Sequence, residues 1–290
     1  MAKKVTAGLI GAALAIGWLF TAYLPFPIFA IIYAVVATLG VYEIEHALGV
    51  RNKLMLALPM LFTAGMVLYA NFATKIQLPL LPILAVYFVV LLTIVVIRHE
   101  ELEFKAVASS IFASVWLSLG FGTLLLLRDA ATTWPTLFSR NAYGMFFVLL
   151  AFFCSWLTDA FAYFAGSFFG KHKMCPKISP HKTIEGAVGG VVCNTLLCVG
   201  FLALMRHFFQ LEIGYIFTIT IAIVLSTISI FGDLAASVIK RQSGIKDFGN
   251  LIPGTGGMMD RFDSSMFVFP LLYAIVYTLC TYGASSFIFS

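Results

Sequence analysis

The chain has 290 residues, 61% of them hydrophobic and only 11% charged, against about 45–50% and about 25% in soluble domains. That composition excludes a soluble globular enzyme, and continuous rather than alternating apolar runs exclude a closed β-barrel. The net charge of +5 carries no nucleic-acid reading, because in a membrane protein the placement of basic residues matters more than their sum.

Nine apolar segments follow one another, at about 5–24, 28–48, 54–71, 77–97, 106–127, 143–166, 185–205, 213–236 and 264–282. A spanning helix needs roughly 20 residues, so the expected fold is all-α, a polytopic transmembrane helix bundle of about nine spans. The first run, after Met1-Ala-Lys-Lys4, exceeds the ~7–15 apolar residues of a signal peptide and reads as a retained span. No repeat, low-complexity tract or soluble domain interrupts the series, so residues 1–290 form one integral-membrane domain, with N-terminal spans over 1–140 and a catalytic half over 141–290.

Charge placement gives the topology. With the N-terminus cytoplasmic and all segments spanning, only Lys75, Arg128, Arg140 and Arg206 of the 18 basic residues fall on the far side. This follows the positive-inside rule, puts the C-terminus outside, and leaves cytoplasmic loops at 167–184 and 237–263. The five cysteines, 154, 175, 193, 198 and 280, are odd in number and mostly inside apolar runs. They read as small buried side chains. His172, Cys175 and His181 lack the fourth ligand and regular spacing of a zinc site.

Polar residues inside spans are costly and tend to be functional. Glu43, Glu45 and His46, ending the second segment, read as an interfacial face. In the sixth segment Ser155, Asp159, Ala162 and Gly166 lie on one small and polar helical face, spaced 4, 3 and 4. In the seventh, Gly186, Gly190 and Asn194 permit close helix approach and offer an amide. In the eighth, Ser226, Ser229, Asp233, Ser237 and Lys240 form one stripe. Asp260 and Asp263 open the ninth segment, three residues apart and on one helical face. Under the counted topology Asp159, Asp233, Asp260 and Asp263 share one cytoplasmic layer, beside two basic loops and the run Pro253-Gly254-Thr255-Gly256-Gly257. Carboxylates suit Mg²⁺, glycines let a backbone approach a ligand, and Lys and Arg pair with phosphate oxygens. Together they equip a site for phosphoryl or nucleotidyl transfer.

These residues resemble the phosphatidate cytidylyltransferases (CDP-diacylglycerol synthases). The family signature stands here as Ser237-Val-Ile-Lys240-Arg241, Lys246-Asp247, Pro253 to Gly257, and Asp260-Arg261-Phe262-Asp263. Asp159 to Gly166 and Ser179 to Gly186 match two further stretches, so the motifs cover roughly the last half of the chain. The signature's histidine before the paired glycines is Thr255 here, which still donates a hydrogen bond but does not titrate near neutral pH.

The resemblance implies an Mg²⁺-dependent nucleotidyltransferase of phospholipid biosynthesis. It would move the cytidylyl group of CTP to phosphatidate, giving CDP-diacylglycerol and pyrophosphate. Its implied metal ligands are Asp233, Asp260 and Asp263, then Asp159, with Glu185 as a ligand or helix cap and room for a second, monovalent cation. Asp233, Lys240, Arg241, Lys246, Asp247, Asp260, Arg261 and Asp263 would be catalytic. Ser179, Lys182, Thr183, Ser237, Gly256 and Gly257 would contact substrate. The implied partners are CTP, phosphatidate and membrane lipid, with no nucleic acid and with a homodimer as the assembly. The implied location is the cytoplasmic membrane, with the site facing the cytoplasm. The competing readings are another Mg²⁺-dependent membrane transferase with a nucleotide-activated donor and a lipid phosphate, and a cation-coupled transporter. A transporter site belongs near the bilayer midplane, whereas these carboxylates gather at one surface.

Overall fold

A computed structural model describes residues 28–73, 76, 79–250 and 256–290. The expected first span at 5–24, and Pro253, Gly254 and Thr255, lie outside the described residues. Among those residues seven helices are long and apolar enough to cross a membrane. They are α1 (Ile28–Ala47), α2 (Lys53–Phe72), α3 (Leu80–Ile97), α4 (Phe104–Arg128), a rod over Asn141–Phe169, α8 (Ile184–Phe209) and α9 (Tyr215–Gln242). The four-residue α5 (Ala130–Thr133) follows α4. The rod is α6 (Asn141–Phe152), a π-helical turn (Phe153–Leu157) and α7 (Thr158–Phe169). The last expected span, 264–282, is the 17-residue α11 (Ser265–Thr281), preceded by the four-residue α10 (Met259–Phe262).

The all-α expectation needs one addition. Strands β1 (Lys173–Cys175) and β2 (Ser179–Thr183) form an antiparallel hairpin between α7 and α8. Its cause is local: the Glu185 carboxylate accepts from the backbone N–H groups of Lys171 and His172 and pairs with the His172 ring. That gathers the chain as it leaves α7 and folds it back onto the start of α8.

The described residues divide into two compact units, one reaching to Leu125 and including Ser243–Phe262, the other comprising Leu126–Gln242 and Asp263–Ser290. Gly256 and Gly257 of the glycine-rich run belong to the first unit.

Within the first unit Gly40 lets α1 meet α4, since a Cβ there would come 2.5 Å from Leu117 Cδ2. Asn52 caps α2 by accepting from Leu54 N–H at 3.0 Å. Val41, Ile44, Leu117 and Phe121 form the buried interior, and the Phe121 ring meets Phe262 edge-on. Glu43 and Glu45 are not the interfacial residues expected from their place at a helix end. Both are buried. The Glu43 carboxylate holds Met258 N–H at 2.9 Å and Met259 N–H at 2.8 Å, which binds the loop into this unit.

Within the second unit small residues set the spacing of helices, as the seventh segment predicts. A Cβ on Gly190 would lie 2.9 Å from the Thr158 carbonyl, and one on Gly186 would lie 2.7 Å from that of Ala162. The approach brings a buried polar ladder together. Asn194 Nδ2 donates to Ser226 Oγ at 2.8 Å, and Thr158 Oγ1 donates to the same oxygen at 2.9 Å. Ser229 Oγ reaches the Ser155 carbonyl at 3.3 Å, and Ser265 Oγ reaches Ser155 Oγ at 3.0 Å. Buried hydroxyls and amides need such partners, so the ladder fixes the rotation of α7, α8, α9 and α11 about their axes. Around it, Phe138, Phe146, Phe147 and Phe269 fill the interior.

Candidate active site

One end of the polar ladder opens onto charge. Asp159 stands in the first turn of α7, Asp233 and Lys240 on α9, Lys182 on β2, and Asp263 in the turn before α11. The π turn directs α7: Thr158 N–H reaches back to the Phe153 carbonyl, five residues earlier. Such turns often mark functional positions in helices. Gly232 admits the turn before α11, because a Cβ there would meet the Phe267 ring at 2.8 Å and Ser264 Cα at 3.2 Å.

Two ammonium–carboxylate pairs result. Lys182 Nζ pairs with Asp233 Oδ2, and Lys240 Nζ with Asp263 Oδ2 at 3.3 Å. The first pair keeps 24% of each side chain exposed and the second only 10%, although the Lys182 Nζ atom itself is buried. Ser264 Oγ donates to Asp159 Oδ2 at 3.2 Å, and Ser264 N–H donates to Asp263 Oδ1 at 2.8 Å. Asp159 feels the charges of Asp233, Lys182 and Asp263. Burial, and then the charge of Asp233, push the Asp263 carboxyl up to about 7, against the pull of the Lys240 ammonium. Three carboxylates crowded with two ammoniums in a poorly solvated corner form a site short of positive charge.

The sequence now compares directly with known proteins. A model of the cytidylyltransferase family matches residues 3–279. The chain belongs to the cytidylyltransferase family. The phosphatidate cytidylyltransferase of Bacillus subtilis is 30% identical over 289 residues, covering 95% of this chain and 97% of that one. That of Staphylococcus saprophyticus is 37% identical over 183 residues, covering 63% of this chain and 64% of its own. The match to Staphylococcus haemolyticus has the same coverage at 36% identity. The chain thus spans a little under two thirds of these two staphylococcal relatives and nearly the whole of the Bacillus one.

In this cytidylyltransferase-family chain the expected site residues fall into three groups. Asp159, Lys182, Asp233, Lys240 and Asp263 come together in the second unit. Asp260 lies on α10 in the first unit, and that helix ends at Phe262 before the turn at Asp263 and Ser264. Its Oδ2 instead accepts from Phe248 N–H and Gly257 N–H, both at 2.9 Å, within the first unit. There Gly256 takes φ +96°, a backbone region that suits glycine. Gly257 has no room for a side chain, since a Cβ would meet the Glu43 carboxylate at 2.5 Å. Lys246, Asp247 and Arg261 are exposed.

The remaining residues lie on or about the hairpin, α8 and α9. Thr183 is buried and caps α8, its Oγ1 accepting from Gly186 N–H at 3.2 Å. Glu185 closes the hairpin through the Lys171 and His172 backbone N–H groups. Arg241 Nε donates to the Ile178 carbonyl at 3.5 Å, tying α9 to the hairpin. Ser179 and Ser237 are half-buried on β2 and α9. Sequence reasoning missed Ser264, Gly232, Thr158 and Glu43. Ser264 follows the last aspartate of the signature, and that adjacency was the available signal for it.

Among the described residues no three His, Cys, Asp or Glu side chains are gathered tightly enough to hold a metal by themselves. The donor set nonetheless suits a hard cation. It offers carboxylate oxygens only, and two of the three carboxylates already hold a cationic group on a flexible stem.

Proposed function

We propose that this chain is a phosphatidate cytidylyltransferase, forming CDP-diacylglycerol and pyrophosphate from phosphatidate and CTP. The family match from residue 3 to 279 carries this reading, supported by the full-length similarity to the Bacillus enzyme of that name. The charged site agrees with it, since three carboxylates short of positive charge suit a divalent cation, and nucleotidyl transfer between two anions needs added cationic charge and little acid–base chemistry.

A phosphate oxygen of phosphatidate attacks the α-phosphorus of CTP. A new P–O bond forms there, the bond to the bridging oxygen breaks, and pyrophosphate leaves. The attacking oxygen is ionised at neutral pH, so no general base is required, and Thr255 in place of histidine removes nothing essential. Lys182, once its ammonium is released from Asp233, takes a substrate phosphate. Lys240 and Arg241 steady charge at the neighbouring positions, while Lys246 and Arg261 are further phosphate-pairing cations of the signature. Ser264 holds Asp159 and Asp263 in fixed orientation.

Mg²⁺ would be held by Asp233 and Asp263, with Asp159 behind them, and would supply neutralisation of the triphosphate charge. Asp260, with its Oδ2 on two backbone N–H groups, shapes the glycine-rich turn. The charge bias of the loops supports a site at the cytoplasmic face, where CTP and the lipid headgroup meet.

The test is incubation of the purified protein in detergent with phosphatidate, labelled CTP and Mg²⁺. A labelled CDP-lipid is expected, and its absence from folded preparations would sink the assignment.

A further inference from the structure

Glu45 stands in the last turn of α1, in the first unit, and is fully buried. Among the described residues neither oxygen of its carboxyl group has a hydrogen-bond partner. The basic side chains of the adjoining segments, His46, Arg51, Lys53 and Lys105, are all exposed. Arg51 Nη1 donates instead to the His46 carbonyl at 2.7 Å.

The polar groups around Glu45 have no proton to give it. Ser110 on α4 stands beside the carboxyl, but its Oγ donates to the Met55 carbonyl of α2 at 3.3 Å. From α3 the titratable group that faces Glu45 is Tyr87. Its hydroxyl lies 2.9 Å from Ser114 Oγ, which already donates to the Ser110 carbonyl at 2.7 Å, so Tyr87 is the donor to Ser114. A hydroxyl carries one proton, and all three of these are committed elsewhere.

We infer that Glu45 anchors a buried site for a single positive charge, a proton or an alkali cation, completed by Ser110 Oγ and the Met55 carbonyl. A carboxylate without donors is too costly to keep in a poorly solvated interior, so its charge must be neutralised. One carboxylate balances one positive charge, whereas a divalent ion would leave a buried excess of the same size. Carboxylate, hydroxyl and carbonyl come one each from α1, α4 and α2, and an all-oxygen set suits a hard cation. The same set suits a carboxyl O–H, which would donate to Ser110 Oγ as that hydroxyl donates to Met55.

The position of the site gives it a consequence. Glu43, two residues earlier and so about 200° round the helix, holds the Met258 and Met259 N–H groups. The end of α1 is thus held on one side by the clamp and on the other by the occupant of this site. The inference does not depend on the cytidylyltransferase reading.

The test is thermal melting of the whole protein in detergent with EDTA, native and Glu45→Gln, at about pH 6 and about pH 9. Choline, sodium and potassium chloride are compared at equal ionic strength. Asp263 adds the same pH slope to both proteins, so the readout is their difference. Native protein is expected to lose about 3 °C more than the variant on going to the higher pH in choline chloride. Restoration by the lower pH and by neither salt identifies a proton. Restoration by sodium or potassium chloride at the higher pH identifies an alkali cation. Glu45→Gln, neutral and of the same shape, should melt within about 2 °C of the occupied native protein. Ser110→Ala keeps the carboxyl and removes one oxygen from the site. The midpoint of the restoring titration, in proton or salt concentration, should move about tenfold toward weaker binding. Equal responses of native protein and Glu45→Gln, including none in either, overturn the site, as does an unmoved midpoint in Ser110→Ala.

Discussion

In the first unit Glu43 and Asp260 accept from backbone N–H groups, whereas in the second Asp233 and Asp263 are met by lysine ammoniums. The difference is one of exchangeability. A backbone N–H cannot leave its acceptor without unfolding a loop, so the carboxylates of the first unit are clamps. An ammonium on a four-carbon stem can swing away when a substrate phosphate or a metal arrives. The carboxylates of the second unit are therefore loaded with replaceable charge, which an active site requires and a scaffold does not.

Substitution tests this division directly. The largest effect belongs to Asp263→Asn and Asp233→Asn, each expected to lower CDP-lipid formation by about 1,000-fold, or about 4 kcal/mol of transition-state stabilisation. Titration of activity with Mg²⁺ should show no recovery at high metal. If either variant retains activity within tenfold of the native protein, the exchangeable pairs are structural after all.

Lys240→Met leaves Asp263 buried without its partner. Breaking such a pair costs about 3–5 kcal/mol, so thermal melts in detergent should fall together with activity. An unchanged melting temperature would mean that Asp263 is held by other means. Glu43→Gln keeps an acceptor for one backbone N–H and loses the charge, for about 1–2 kcal/mol of stability. CDP-lipid formation is expected to fall about tenfold, with a loss as large as that of Asp263→Asn counting against the clamp role.

The smallest effect is a pH slope. A carboxyl raised to about 7 by burial binds more protons folded than unfolded. Its contribution to stability is therefore largest at low pH and is lost as pH rises from about 4 to 7. In EDTA, melts between pH 5 and 8 should show a component no steeper than one proton, about 1.4 kcal/mol per pH unit. Asp263→Asn should remove it.

Much of the second unit was legible because its signals are local. Ser226, Ser229, Asp233, Ser237 and Lys240 repeat every three or four residues among large apolar neighbours, and such a stripe must face something polar. Asn194 with Gly186 and Gly190 was readable for the same reason. Pairings across the chain were not. Glu43 lies 215 residues from the N–H it holds, and at the end of an apolar helix it looks like any residue returning to water. Lys182 is one of several basic residues in its loop, and its partner Asp233 sits on another helix. The break at Asp263 and Ser264 was hidden because Asp260-Arg261-Phe262-Asp263 has helix-like spacing. A turn there depends on Gly232, which lies on a different element.

The π turn at Phe153–Leu157 has a consequence for the phase of the rod that contains it. One inserted residue offsets the two halves by about 100°, so the half that packs Phe146 and Phe152 and the half that carries Asp159 face directions set independently. Deleting a single residue within the turn would bring both halves into one register. The helix would stay as apolar and nearly as long, while Asp159 swung about a quarter-turn from Ser264. Catalysis could then be lost with every signature residue still present, through phase alone.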